Sequence, residues 1–308
     1  MSSLYQAIDY TSDTLVQSVK DAIIVPNSQN LFTAPVILRY CNREMANTIV
    51  PLIMSAKAYY LIEHFDYTIT SDTDYVIPDI AQGMKLMDVC YVSAQGIENK
   101  MPLLTHDQVA SNQWTINMVS GFFVHNNTVK IYPFGLQGFI LRLYFYRRPN
   151  QIVETSKAGQ VTEIAGNVLT LTRVPPAWVV DDNVCAISQL PGFDQRFNSQ
   201  SIVDITYPTI TIEDATDVQL GDWICLENES TIPQIMPEGH GLLAQAAALK
   251  MLLGVASPQA QLAGEIYGVM REEFIKMITP RTDDAPKKIR NINSALNWSR
   301  IRNKWSWW

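Results

Sequence analysis

Cysteine is scarce and scattered in this chain. The 308 residues hold four, Cys41, Cys90, Cys185 and Cys225, and no two form a CxxC pair. That excludes a disulfide framework or a thiolate zinc site and leaves buried, reduced thiols as the expectation. The four histidines, His64, His106, His125 and His240, lack HxxxH or HExxH spacing, so no metal site is expected. There is no GxSxG elbow, no GxxxxGK phosphate loop and no GxGxxG after a strand. His106-Asp107 reads as a surface turn or short-helix cap rather than an acid–base pair. Asp72 and Asp74 read as a solvated turn rather than a calcium site. No enzyme, cofactor or metal is expected.

Other absences bound the setting. The first residues, MSSLYQAIDY, have no basic stretch followed by an apolar one, so export by a signal peptide is not expected. The three Asn-x-Ser/Thr triplets therefore carry no meaning as glycosylation sites. The most apolar run, GLLAQAAALKMLLGVA, contains Gln245 and Lys250 and is too short to span a bilayer. A soluble protein made inside the cell is the expectation. The C-terminal stretch stands out in charge: after Asp284 there are six basic residues and no acid. With a net charge of −7, the first 284 residues therefore carry −13. Such a body does not suit tight nucleic-acid binding, which needs a net basic footprint.

What is present is patterned. Leu15, Val16, Val19 and Ile23 follow helical spacing, and Thr33 with Pro35 opens a second helix bearing Ile37, Cys41 and Met45, which Pro51 should end or kink. Leu242, Ala246, Leu249 and Leu253 line one face of a third helix. Leu262, Ile266, Met270 and Phe274 line a fourth. No helix reads as apolar all round. Between them the period changes to two: GFILRLYFY puts Phe139, Leu141, Leu143 and Phe145 on one face, and an Asn126-Asn127 turn sets Val124 opposite Val129.

VTEIAGNVLTL (161–171) also aligns with IVDITYPTITI (202–212) at an offset of 41, and Cys185 aligns with Cys225 at 40. Two such copies cannot each bury a core alone and should pack as a pseudo-symmetric barrel or sandwich. The expected fold class is α+β: a helical bundle from the N- and C-terminal helices (1–60 and 239–280) with an inserted antiparallel β region. That insertion divides into 61–150 and a β-repeat subdomain, 151–238. An extended C-terminal docking arm follows, 281–308.

The arm holds four of the seven tryptophans. Its 24 residues after Asp284 span about 80 Å fully extended, at about 3.3 Å per residue. Large rigid indoles interleaved with cations are the residue types of binding hot spots. The expected partner-docking residues are Lys287, Lys288, Arg290, Trp298, Arg300, Arg302, Lys304, Trp305, Trp307 and Trp308. Docking of these indoles on another chain is favoured over their folding back onto the protein's own helices, and over a membrane interface, for which the segment lacks an amphipathic helix.

The order of helix pair, β segment and helix pair is carried by LYQAIDYTSDTLVQSVKDAI, SQNLFTAPVILRYCNREMANTIVPLIMSAKAYY, YVIPDIAQGMKLMDVCYV, IYPFGLQGFILRLYFYRRPNQIV, VQLGDWICLENESTIPQIMPEGHGLLAQAAALKML and FIKMITPRTDDAPKKIRN. It resembles the head-to-tail connector, or adaptor, proteins of double-stranded-DNA bacteriophages, particularly those with short tails. The resemblance implies a virion protein assembled in the host cytoplasm. It implies a homo-oligomeric ring, twelvefold, below the portal protein, whose C-terminal arms dock on the portal. A distal tail or nozzle protein would meet the β parts, and genomic DNA would pass through the channel without specific binding. Two alternatives stand beside it: another neck or tail-tube component without portal contact, and a β-rich carbohydrate-binding module.

Overall fold

The structure, a computed structural model, describes residues 10–23, 32–70, 74–110, 121–132, 138–189, 192 and 195–279. Contacts divide the chain into two units, Met1–Ile278 and Thr279–Trp308. The first unit opens with α1 (Ser12–Ile23) and α2 (Ala34–Glu44), followed by a π-helical turn (Met45–Ile49), α3 (Val50–Lys57) and a 3-10 turn (Ala58–Leu61). Pro51 does not stop the helix. It cannot donate to the turn before it, and the backbone widens there instead, with the Val50 N–H bonding to the Met45 carbonyl.

A four-stranded antiparallel sheet comes next in space, ordered β1 (Ile62–Thr68), β7 (Ile140–Arg147), β3 (Ala81–Val92), β4 (Glu98–Lys100). Beside it lies a three-stranded sheet, β2 (Asp74–Val76), β6 (Thr128–Tyr132), β5 (Gly121–His125). The β5–β6 hairpin turns at Asn126, at φ 53°, and pairs Val124 with Val129 and Phe122 with Ile131, the register that the sequence spacing indicates. Leu141, Leu143 and Phe145 are fully buried between the two sheets with Ile77, Val89 and Val129. Burial of each such side chain contributes roughly 1.5–3 kcal/mol. The short helix α4 (His106–Ala110) is capped by reciprocal bonds between Thr105 and Gln108.

The remaining strands are β8 (Gln151–Ile152), which pairs with β15 (Glu229–Ser230), and a closed barrel. The barrel comprises β9 (Gly159–Ala165), β10 (Val168–Leu171), β11 (Asn183–Ile187), β12 (Gln195–Thr206), β13 (Thr209–Ile212) and β14 (Trp223–Leu226). Each ladder of the first sequence copy recurs in the second. Glu163 and Val161 pair with Thr170 and Leu171 across a bulge, and Asp204 and Ile202 pair with Thr211 and Ile212 across the same bulge. Asn183 meets Ser201 as Trp223 meets Gln160. Equivalent residues face each other twice, Leu169 with Ile210 and Cys185 with Cys225, so an approximate twofold axis passes through both pairs. The two repeats are thus halves of one barrel.

The symmetry reaches single residues. Asp182 Oδ2 accepts from the Val179 N–H at 2.9 Å, and Asp222 Oδ2 accepts from the Gln219 N–H at 2.9 Å. The residue before each acid is left-handed: Asp181 at φ 73° and Gly221 at φ 90°. A side chain at 221 would also meet Gln189 Oε1 at 2.5 Å. Gly221→Ala should therefore cost about 1–2 kcal/mol in a urea melt, whereas Asp181→Gly should cost nothing or stabilise slightly.

α5 (Pro237–Gly254) and α6 (Ala260–Ile278) close the unit. Here the expected fold class is corrected. Helix and strand contribute in about equal measure, the strands close into a barrel, and the core is not a helical bundle. The helices bury one of four apolar clusters, and that cluster includes Ile152 on β8 together with Ile235 and Met236. They form a layer completed by the β part.

Two expected helix faces also shift. α5 is buried nearly all round between α1, α2 and α6, yet Leu253 at its end is exposed. α6 packs through Ala263, Tyr267, Met270, Phe274 and Ile278: the expected Met270 and Phe274 are inward, but Leu262 and Ile266 face out and Ala263 and Tyr267 take their place.

Candidate functional site

The ten arm residues expected to dock a partner lie outside the described residues, as does Asp72. Asp74 forms an ion pair with Lys130 at 3.1 Å. The most elaborate polar construction among the described residues sits where the helical layer, the β1–β7 sheet and the barrel meet.

Its centre is Arg147. Strand alternation carries it onto the same side as Leu141, Leu143 and Phe145, and its side chain is only 5% exposed. A buried guanidinium needs a partner. Glu63 on β1 supplies one at 3.1 Å, and Asn198 on β12 donates to the other Glu63 oxygen at 3.0 Å. Burial holds the Arg147 pKa below the ordinary range, against the pull of Glu63.

Arg147 also donates to Asn150 Oδ1 at 3.3 Å. Asn150 then ties three segments together: its N–H donates to Gln234 Oε1 at 2.7 Å and its side chain to the Glu229 carbonyl at 3.1 Å. Gln234 continues to Gln195 on β12 at 3.1 Å. These bonds join the sheet, the barrel and the lead-in to α5, and Arg147, Asn150 and Gln234 at their centre have almost no access to water. The network is a buried polar joint between these parts.

Above the joint lies a cleft of about 530 Å³. Asn42, Arg43, Met45 and Ala46 of α2 and the π turn form one wall, and Asp79, Ile80 and the 148–151 link between β7 and β8 form the other. Arg43 and Arg148 are exposed there, and among the described residues neither has an ion-pair partner. On the outer face of the four-stranded sheet the opposite holds. Arg142 grips Asp66 with two bonds, 2.8 and 2.7 Å, and also meets Glu98, which accepts from the Tyr144 hydroxyl at 2.9 Å. These bonds raise the Arg142 pKa and lower that of Glu98, so the charges on this face are partnered within the sheet.

The thiols are poor nucleophiles. Burial pushes Cys41 and Cys185 up to about 12 and Cys225 well above its usual value. No group of three or more potential metal ligands occurs among the described residues, and no helix there is long and apolar enough to cross a membrane. His106 begins α4, its ring 6.2 Å from Phe123.

His240 has a lowered proton affinity. It lies on the first turn of α5, edge-on to Tyr10 at 4.7 Å, with its buried Nε2 unpartnered. Burial lowers its pKa to about 4, and a hydrogen bond with the Ile235 backbone opposes this more weakly. The unfolded chain takes up this proton near pH 6.5 and the folded chain only near 4, so stability is full above 6.5 and falls between the two. The loss should approach about 3 kcal/mol by pH 4. Urea midpoints from pH 7 to 4 should show it, and His240→Gln should flatten that part of the profile.

No protein-family model matches the chain, and no curated protein matches it.

Proposed function

We propose that this protein is a structural virion component, a head-to-tail adaptor. It assembles as a ring, twelvefold, below the portal, extends the DNA channel for ejection and recruits a distal tail or nozzle protein. The helical-bundle core that adaptors led us to expect is not part of the argument, because the fold is otherwise. One observation carries the reading: the chain changes character at Thr279, from an acidic three-part body to a separate unit rich in tryptophan and cations.

Such a unit suits an anchored interface, in which large indoles fill pockets on a second protein and flanking cations set register. The body suits a conduit. A net charge of −13 over the first 284 residues repels DNA phosphates, so a genome can slide past rather than adhere. Its buried three-way joint suits a part that transmits load between partners above and below. Copies around a ring multiply modest contacts by avidity.

Co-sedimentation with assembled portal rings tests the proposal. The full chain should pellet with the portal, and a chain ending at Leu296 should fold normally and stay in solution. Equal pelleting of both would overturn the assignment of the arm.

A further inference from the structure

α6 carries two apolar stripes, and among the described residues only one has a partner. Ala263, Tyr267, Met270, Phe274 and Ile278 pack inward. Leu262, Ile266 and Val269 are 61%, 44% and 59% exposed and lie in line with Glu273, eleven residues on from Leu262. Glu272 and Lys276 flank this line and are also exposed.

The cleft above the joint has the converse pattern. Its apolar floor includes Met45, Ile80 and Pro149, and its rim carries Arg43, Arg148 and Asp79. Two cations and one anion there stand against two anions and one cation on the helix. None of the six has an ion-pair partner among the described residues. Part of one wall is the π turn, and π turns recur at binding sites. The cleft volume falls in the usual range for a site at a junction between structural parts.

We infer that the outer face of α6 in one copy of this chain seats on the Arg43–Arg148 cleft of the next copy. Glu272 and Glu273 would meet the two arginines, Lys276 would meet Asp79, and Leu262, Ile266 and Val269 would cover the apolar rim. The surfaces differ, so the contact is heterologous and propagates from copy to copy, as ring closure requires. The number of copies rests on the adaptor reading, and the contact itself rests on these two surfaces.

Zero-length carbodiimide cross-linking tests it. Full-length Arg43→Lys and Arg148→Lys chains, mixed from unlabelled and ¹⁵N-labelled preparations, are treated at high protein concentration and mapped by mass spectrometry. The expected product is a mixed-isotope peptide joining position 43 or 148 to Glu272 or Glu273. Joins to other acids only, joins within one chain only, or no join would overturn the contact. In sedimentation velocity, Arg43→Glu/Arg148→Glu should weaken self-association at least tenfold, and adding Glu272→Arg/Glu273→Arg should restore it. Absence of restoration also overturns it. Portal co-sedimentation of the same variants keeps the outcomes apart: a failed cross-link with portal binding intact removes this contact and leaves the adaptor reading standing.

Discussion

Replacing Trp298, Trp305, Trp307 and Trp308 together by alanine should weaken portal binding by at least a thousandfold while leaving the melting temperature unchanged. The size follows from what an indole contributes when it fills a desolvated pocket. Hot-spot residues cost about 2 kcal/mol or more each on truncation, and about 4 kcal/mol in total is already a thousandfold. The unchanged melting temperature follows from the apolar clusters of the described residues, which are all built from residues of the unit Met1–Ile278. Replacing Lys287, Lys288, Arg290, Arg300, Arg302 and Lys304 by serine should act differently. Rim charges govern encounter and register, so the loss should be smaller, concentrated in the association rate and reduced at high salt. Surface-captured portal rings and a titration of each variant would separate the two. If the tryptophan variant binds as the wild type does, the indoles are not anchors.

The second large effect concerns the joint. Glu63→Ala should destabilise the protein by about 3 kcal/mol or more, because it strands a guanidinium that is 5% exposed. Arg147→Met should cost clearly less. It removes the buried charge itself, and the Glu63 left behind is 24% exposed and reaches water. Asn198, which donates to Glu63, should matter less than either. Equilibrium urea melts of the three variants give the ranking. Equal losses for Glu63→Ala and Arg147→Met would mean that the pair does not act as a buried ion pair.

The sequence showed the barrel's halves but not its closure. The offsets of 41 and 40 residues are visible because duplicated strands keep their alternation. Nothing local says that Leu169 will face Ile210, or that Cys185 will face Cys225, across an axis. The helices misled for a related reason. On α6 the positions 262, 266 and 269 are as apolar as 263, 267, 270 and 274, and spacing says that a stripe exists without saying which one is covered. On α5 the alanines hide in the pattern, although a helix surrounded by α1, α2 and α6 needs small residues on every side.

Pro51 looked like a stop because the usual cost of an interior proline is a lost bond. The π turn before it accommodates that loss. One site residue was legible and missed: Arg147 continues the parity of Leu141, Leu143 and Phe145, and a cation on a buried face calls for an acid across the ladder. The cleft was not legible, since α2, the β2–β3 turn and the β7–β8 link are brought together only by folding.

The central claim is that this chain is a subunit that joins a portal to a tail through its last residues. Negative-stain imaging of purified portal rings mixed with the full-length protein tests it most directly. The account expects an added ring of density on one face of the portal, with one copy per portal subunit. That ring should be absent when the chain ends at Leu296. Bare portals beside free protein, or an identical ring formed without residues 297–308, would contradict it.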